Sequence, residues 1–109
     1  MGKKAAITGG SRGIGRGIVR KLASEGYDVA FTYSSDRGGQ QARQLVEEVQ
    51  SAYGVRCISQ KAALHEKGVA EAFVRNAYEE LDGLDLLVCN AGQSLVNSIY
   101  EMEEKTIDF

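Results

Sequence analysis

The first residues able to do chemistry are Thr8-Gly9-Gly10-Ser11-Arg12-Gly13-Ile14-Gly15. Glycines in such a run let a backbone turn tightly and come close to a pyrophosphate. N–H groups at the positive end of a following helix then attract the anion. The spacing fits neither of two general phosphate-binding patterns. Gly-x-Gly-x-x-Gly fails because Ile18 stands where the third glycine belongs, and the phosphate loop of NTPases fails because no Gly-Lys-Ser/Thr follows. The run therefore needs a setting as well as a pattern: a strand before it and a helix after it.

The elements around it supply that setting. Ala5 to Thr8 is an apolar run closed by Gly9-Gly10, as expected of a strand buried on both faces. From Ile14 the positions Ile18, Val19, Leu22 and Ala23 recur at helical spacing, with Gly26 placed for a left-handed cap. Val29 to Tyr33 predicts a second strand, and Ser34-Ser35-Asp36-Arg37-Gly38-Gly39 reads as a loop from its turn chemistry. Ala42, Leu45, Val46, Val49 and Tyr53 form a second helical stripe ended by Gly54, and Val55 to Ser59 predicts a third strand. Val69, Ala72, Phe73, Ala77 and Leu81 form a third stripe, ended at Asp82-Gly83, before the apolar strand Leu84 to Cys89. The order βαβαβαβ implies parallel pairing through right-handed crossovers and a three-layer α/β sheet. With no proline, linker or repeat, residues 1–109 are expected to form a single domain. Past Gly92 the pattern weakens. Ile99, Met102 and Thr106 suggest a turn and the start of a helix, so the chain is expected to stop inside an element.

Apolar residues are 43% of the chain and charged residues 26%, the balance of a globular core rather than a disordered tail. A net charge of −2 offers no basic field, which argues against nucleic acid or an anionic membrane as partner. No stretch approaches the roughly 18 apolar residues of a membrane span, and the start has no cleavable apolar segment, so a cytoplasmic location is expected. Cys57 and Cys89 fall in the expected strands, where a buried thiol acts as a small hydrophobe, and two cysteines suggest neither a disulfide framework nor a metal site. His65 reads as a solvated loop residue without a role.

A second motif agrees with the first. Asp85-Leu86-Leu87-Val88-Cys89-Asn90-Ala91-Gly92 is an apolar strand running into Asn-Ala-Gly, three βα units after Thr-Gly-x-x-x-Gly-x-Gly. Together the two motifs resemble the short-chain dehydrogenase/reductase family, and the carrier-protein-linked β-ketoacyl reductases most of all. Cys89 stands where that family usually has a first Asn. The resemblance implies a Rossmann-type doubly wound parallel sheet of order 3-2-1-4-5-6-7, here truncated after the fourth strand. It implies a dinucleotide cofactor held by Thr8, Gly9, Ser11, Arg12, Gly13, Ile14 and Gly15, with Asn90, Ala91 and Gly92 lying along it. At the end of the second strand, where an Asp or Glu would bind the ribose of NAD, the register puts Tyr33. Asp36 lies in the expected loop beyond it and is the weaker candidate. Arg12, Ser34 and Ser35, with Arg37 nearby, would suit a 2′-phosphate, so NADP(H) is favoured over NAD(H). Ala62, followed by Ala63, occupies the position where the family usually sets an Asp near the adenine.

The family's chemistry uses a Ser and a Tyr-x-x-x-Lys pair. Four residues after Tyr27, Tyr33, Tyr53, Tyr78 and Tyr100 come Phe31, Arg37, Cys57, Asp82 and Glu104, so no tyrosine here has its lysine and no catalytic residue is assigned. Three readings follow. The chain is the cofactor-binding part of a reductase, inactive alone, whose carbonyl substrate needs a further segment. Or it is a non-catalytic dinucleotide-binding or interaction module. Or it is an α/β domain whose glycines serve packing alone. A sheet ending at strand four would also present an apolar edge, and self-association through it is expected.

Overall fold

The computed structural model describes residues 2–9, 13–34, 36–64 and 66–89. Four strands, β1 (Lys4–Thr8), β2 (Asp28–Tyr33), β3 (Cys57–Lys61) and β4 (Leu86–Cys89), alternate with α1 (Gly13–Ser24), α2 (Asp36–Tyr53) and α3 (Val69–Leu81). The sheet order is β3-β2-β1-β4, and every neighbouring pair is parallel. This is the expected α/β Rossmann-like sheet through its first four strands.

The alternation of side chains along β1 divides the core in two. Ala5 and Ile7, with Val29, Phe31 and Cys57, meet Val19, Leu22 and Ala23 of α1 and Ala42, Leu45 and Val49 of α2. Ala6 and Ala30 face the other way, onto Phe73, Val74, Ala77 and Leu81 of α3 and the following Leu84. Burying each larger side chain stabilises the fold by about 1.5–3 kcal/mol. Between α1 and α2, Glu48 accepts two hydrogen bonds from the Arg20 guanidinium, at 2.8 and 2.7 Å, and has Arg16 at 3.7 Å.

Several boundaries differ from expectation. β3 begins at Cys57 rather than Val55, and β4 at Leu86 rather than Leu84. The expected loop 34–39 is largely helix, because α2 already begins at Asp36. Gly39 lies beside the Tyr33 ring, where an added Cβ would make an ordinary contact of 3.4 Å with Cε2. In α3 the buried set is Ala70, Phe73, Val74, Ala77 and Leu81, so Ala72 is on the exposed side and Ala70 replaces it. Tyr53, in the last turn of α2, is 46% exposed, and Ile14, in the first turn of α1, is 77% exposed. Both lie at helix ends, which explains why the stripe does not bury them. Cys57 is buried as expected, but Cys89 is only half-buried, since among the described residues β4 pairs with β1 on one side only. The turn from α1 to β2 uses Gly26 at φ 92°, with Tyr27 N–H donating to Leu22 O at 3.0 Å.

Candidate functional site

The glycine turn leaves β1 at the centre of the sheet. β1 has β2 on one side and β4 on the other, so the carboxyl end of β1 lies at the switch point where an open α/β sheet forms its ligand crevice. Thr8 is fully buried and pairs with Cys89 of β4. Gly9 follows with φ 73°, a left-handed conformation that a side chain disfavours. Its N–H donates to Thr32 Oγ1 at 2.8 Å, so the start of the turn is fastened to β2. The chain re-enters regular structure at Gly13, the first residue of α1, and the first turn of that helix carries no acidic residue. The positive end of the helix therefore meets no carboxylate of its own, which fits an anion there.

The ends of β2 and β3 form the next part of the site. Tyr33 is the last residue of β2. It is half-buried, with its ring beside Gly39 and packed against the α1–α2 core. Ser34, next in sequence, is exposed. Ala62 is buried just after β3, and its N–H donates to Tyr33 O at 2.9 Å. Ala63 is half-buried, and its carbonyl accepts the Glu66 N–H at 2.9 Å. Thus Thr8, Gly9, Gly13, Ile14, Gly15, Tyr33, Ser34, Ala62 and Ala63 all belong to the carboxyl ends of strands or the segments that follow them. Ser11, Arg12, Ser35, His65, Asn90, Ala91 and Gly92 lie outside the described residues.

The profile of the family described as short chain dehydrogenase matches residues 3–109. The chain belongs to the short-chain dehydrogenase/reductase family. Among curated members of that family, it is 37% identical over 108 residues to a 3-oxoacyl-acyl-carrier-protein reductase, FabG, of Staphylococcus aureus, which covers 99% of this chain and 43% of the relative. The Aquifex aeolicus reductase of the same name is 41% identical over 93 residues, covering 84% of this chain and 36% of that one. Among solved structures of the family, a short-chain dehydrogenase/reductase from Serratia marcescens superposes with a TM-score of 0.78 at 41% identity, over 85% of this chain and 37% of that one. A blue fluorescent protein from a metagenomic library, solved with NADPH, gives 0.80 at 42% identity, over 84% and 37%. The chain thus spans less than half the length of these relatives.

One contact at the start of the turn has no counterpart in the sequence motifs. Thr32 is 1% exposed and fixes the first residue of the glycine turn, yet it sits in what reads as a plain β-branched strand. In Val29-Ala30-Phe31-Thr32-Tyr33 it is the one aliphatic hydroxyl, a feature too common in strands to single it out. Cys57, by contrast, carries no chemistry: burial pushes its thiol up to about 12, so it stays protonated and unreactive near neutral pH.

Proposed function

We propose that this chain is the cofactor-binding part of an NADP(H)-dependent reductase acting on a carbonyl such as a β-ketoacyl thioester. The observation that carries the reading is the glycine turn at the switch point: Gly9 at φ 73°, tied to Thr32, ahead of a helix start free of acidic residues. Thr8, Gly9, Gly13 and Gly15, with Ser11 and Arg12 between them, would hold the pyrophosphate. Ala62 and Ala63 would line the adenine, and Asn90, Ala91 and Gly92 would run beside the rest of the cofactor. When bound, the cofactor supplies the hydride that reduces the carbonyl carbon.

Preference for NADP(H) is supported by Tyr33 and Ser34 at the end of β2, neither of which brings a carboxylate to repel a 2′-phosphate, and by Arg12 in the turn. The NADPH bound to the blue fluorescent protein and the 5-hydroxy-NADP bound to the alcohol dehydrogenase from Thermococcus sibiricus agree with this preference. Titration of the folded chain with NADPH and then NADH tests it. Tighter binding of NADPH, lost in Arg12→Ala, is expected, while equal binding of both would overturn the preference. Turnover is expected only with the remaining part of a reductase supplied, read as ketoacyl-dependent loss of NADPH absorbance.

A second reading, a dinucleotide-binding module without turnover, is favoured by the buried Ala62 in place of an adenine-facing carboxylate. Binding of NADPH with no turnover after complementation would select it. Pairing of a second copy along β4, where Leu86 is 37% exposed, is also proposed. Light scattering is expected to show a dimer at high concentration, and a monomer throughout would remove the idea.

A further inference from the structure

The geometry points to Thr32 as a positioning residue for the phosphate turn, coupling the end of β2 to the first turn residue after β1. The inference rests on the proposed cofactor site and names a residue that site depends on.

The last register pair between β1 and β2 that the ladder makes is Ile7 with Phe31. One residue further on, the chain leaves the sheet, because Gly9 adopts φ 73°. Its N–H has left the regular ladder, and the Thr32 hydroxyl meets it at 2.8 Å. Thr32 is 1% exposed, while its neighbour in sequence, Tyr33, is packed beside Gly39 of α2. The hydroxyl is therefore held on both sides, by the strand and by burial, and presents one acceptor to one donor. The Gly9 N–H is partly buried, and taking away its hydroxyl acceptor weakens the preference for this turn conformation. The same bond engages the Gly9 N–H, which leaves an anion to the N–H groups that follow and to the start of α1. Thr32 touches no part of the cofactor in this scheme. It acts by fixing where the turn begins.

The test compares Thr32→Val, which keeps the shape and removes the hydroxyl, with Thr32→Ser, which keeps the hydroxyl. NADPH, which carries the pyrophosphate, and 2′-AMP, which does not, are titrated into the full chain and both variants. NADPH is expected to bind Thr32→Val about ten-fold more weakly, the equivalent of about 1.4 kcal/mol, with 2′-AMP binding unchanged and Thr32→Ser close to the parent. Equal weakening of both ligands, or failure of Ser to restore NADPH binding, would overturn the inference and reduce Thr32 to a structural residue. Amide exchange at Gly9 is measured on the same three proteins without ligand, at matched distance from each melting temperature. It is expected to quicken in Thr32→Val alone; unchanged exchange would refute the positioning role even if the parent chain bound no cofactor. Absence of NADPH binding by the parent with quickened exchange in Thr32→Val would instead sink the cofactor reading and leave the turn-fixing role standing.

Discussion

The two ends of the sheet are built differently. At the amino end, charged side chains staple the strand starts together. The Asp85 carboxylate accepts the Lys4 N–H at 2.8 Å, and the Asp28 carboxylate accepts the Arg56 N–H at 2.9 Å. The Arg56 guanidinium donates to Glu80 O at 2.8 Å, and Gln50 Oε1 accepts the Cys57 N–H at 3.2 Å. At the carboxyl end the segments that follow the strands begin with small residues, Gly9 after β1, Ser34 after β2, and Ala62 and Ala63 after β3, and the Thr32 hydroxyl of β2 holds the Gly9 N–H. Among the described residues, charged and amide side chains tie off one end, while a single hydroxyl fastens the start of the turn at the other. This division is what an open α/β sheet needs, since ligands gather at the carboxyl ends of the strands.

The sharpest way to break this comparison is a change at Gly9. Gly9→Val places a β-branched side chain at φ 73°, where even an ordinary residue costs about 1–2 kcal/mol, and it is expected to weaken NADPH binding by roughly thirty-fold. Titration checks it, and unchanged affinity would dissociate the turn from the site.

At the amino end the expected effects fall on stability instead. Cys57 loses its proton in the unfolded chain near pH 9 but only at about 12 when folded. The unfolded state therefore binds fewer protons above pH 9, and stability falls as pH rises through that window. Denaturant melts at pH 8 and pH 10.5 are expected to show a loss about 1–2 kcal/mol larger for the parent than for Cys57→Ala. An equal loss in both proteins would contradict a buried thiol. Asp28→Ala removes the acceptor of the Arg56 N–H and is expected to cost about 1 kcal/mol, a few degrees in melting temperature, while NADPH affinity stays at the parent value. A drop in affinity there would mean that the two ends are coupled. The smallest effect is expected at the Arg20–Glu48 pair. It is exposed, and Arg20→Ala should cost below about 1 kcal/mol, less still at high salt.

The elements were legible because their apolar residues repeat at the right periods, and the glycine and Asn-Ala-Gly motifs named the family. What misled was local chemistry with two uses. Ser34-Ser35-Asp36-Arg37-Gly38-Gly39 carries turn residues, yet α2 begins at Asp36 and takes in its last four. Ile14 and Tyr53 continue helical stripes past the point where the sheet covers them. In the candidate site, the placement of Thr8 and Gly9 at the end of β1 was readable from the strand pattern, and that of Ala62 and Ala63 after β3 from the family resemblance. Thr32 was not, since a threonine in a strand is ordinary, and only the register showed its hydroxyl meeting the turn.

The position of β1 also sets an order of events during folding. β1 meets β2 across a single helix, but it meets β4 only after two further βα units have been made. Contacts close in sequence form sooner than distant ones, so β1, β2 and β3 are able to assemble while the chain is still emerging, and β4 joins β1 after them. The crevice at the switch point thus gains one wall early and the other late, from the pairing of described strands that lie farthest apart in sequence.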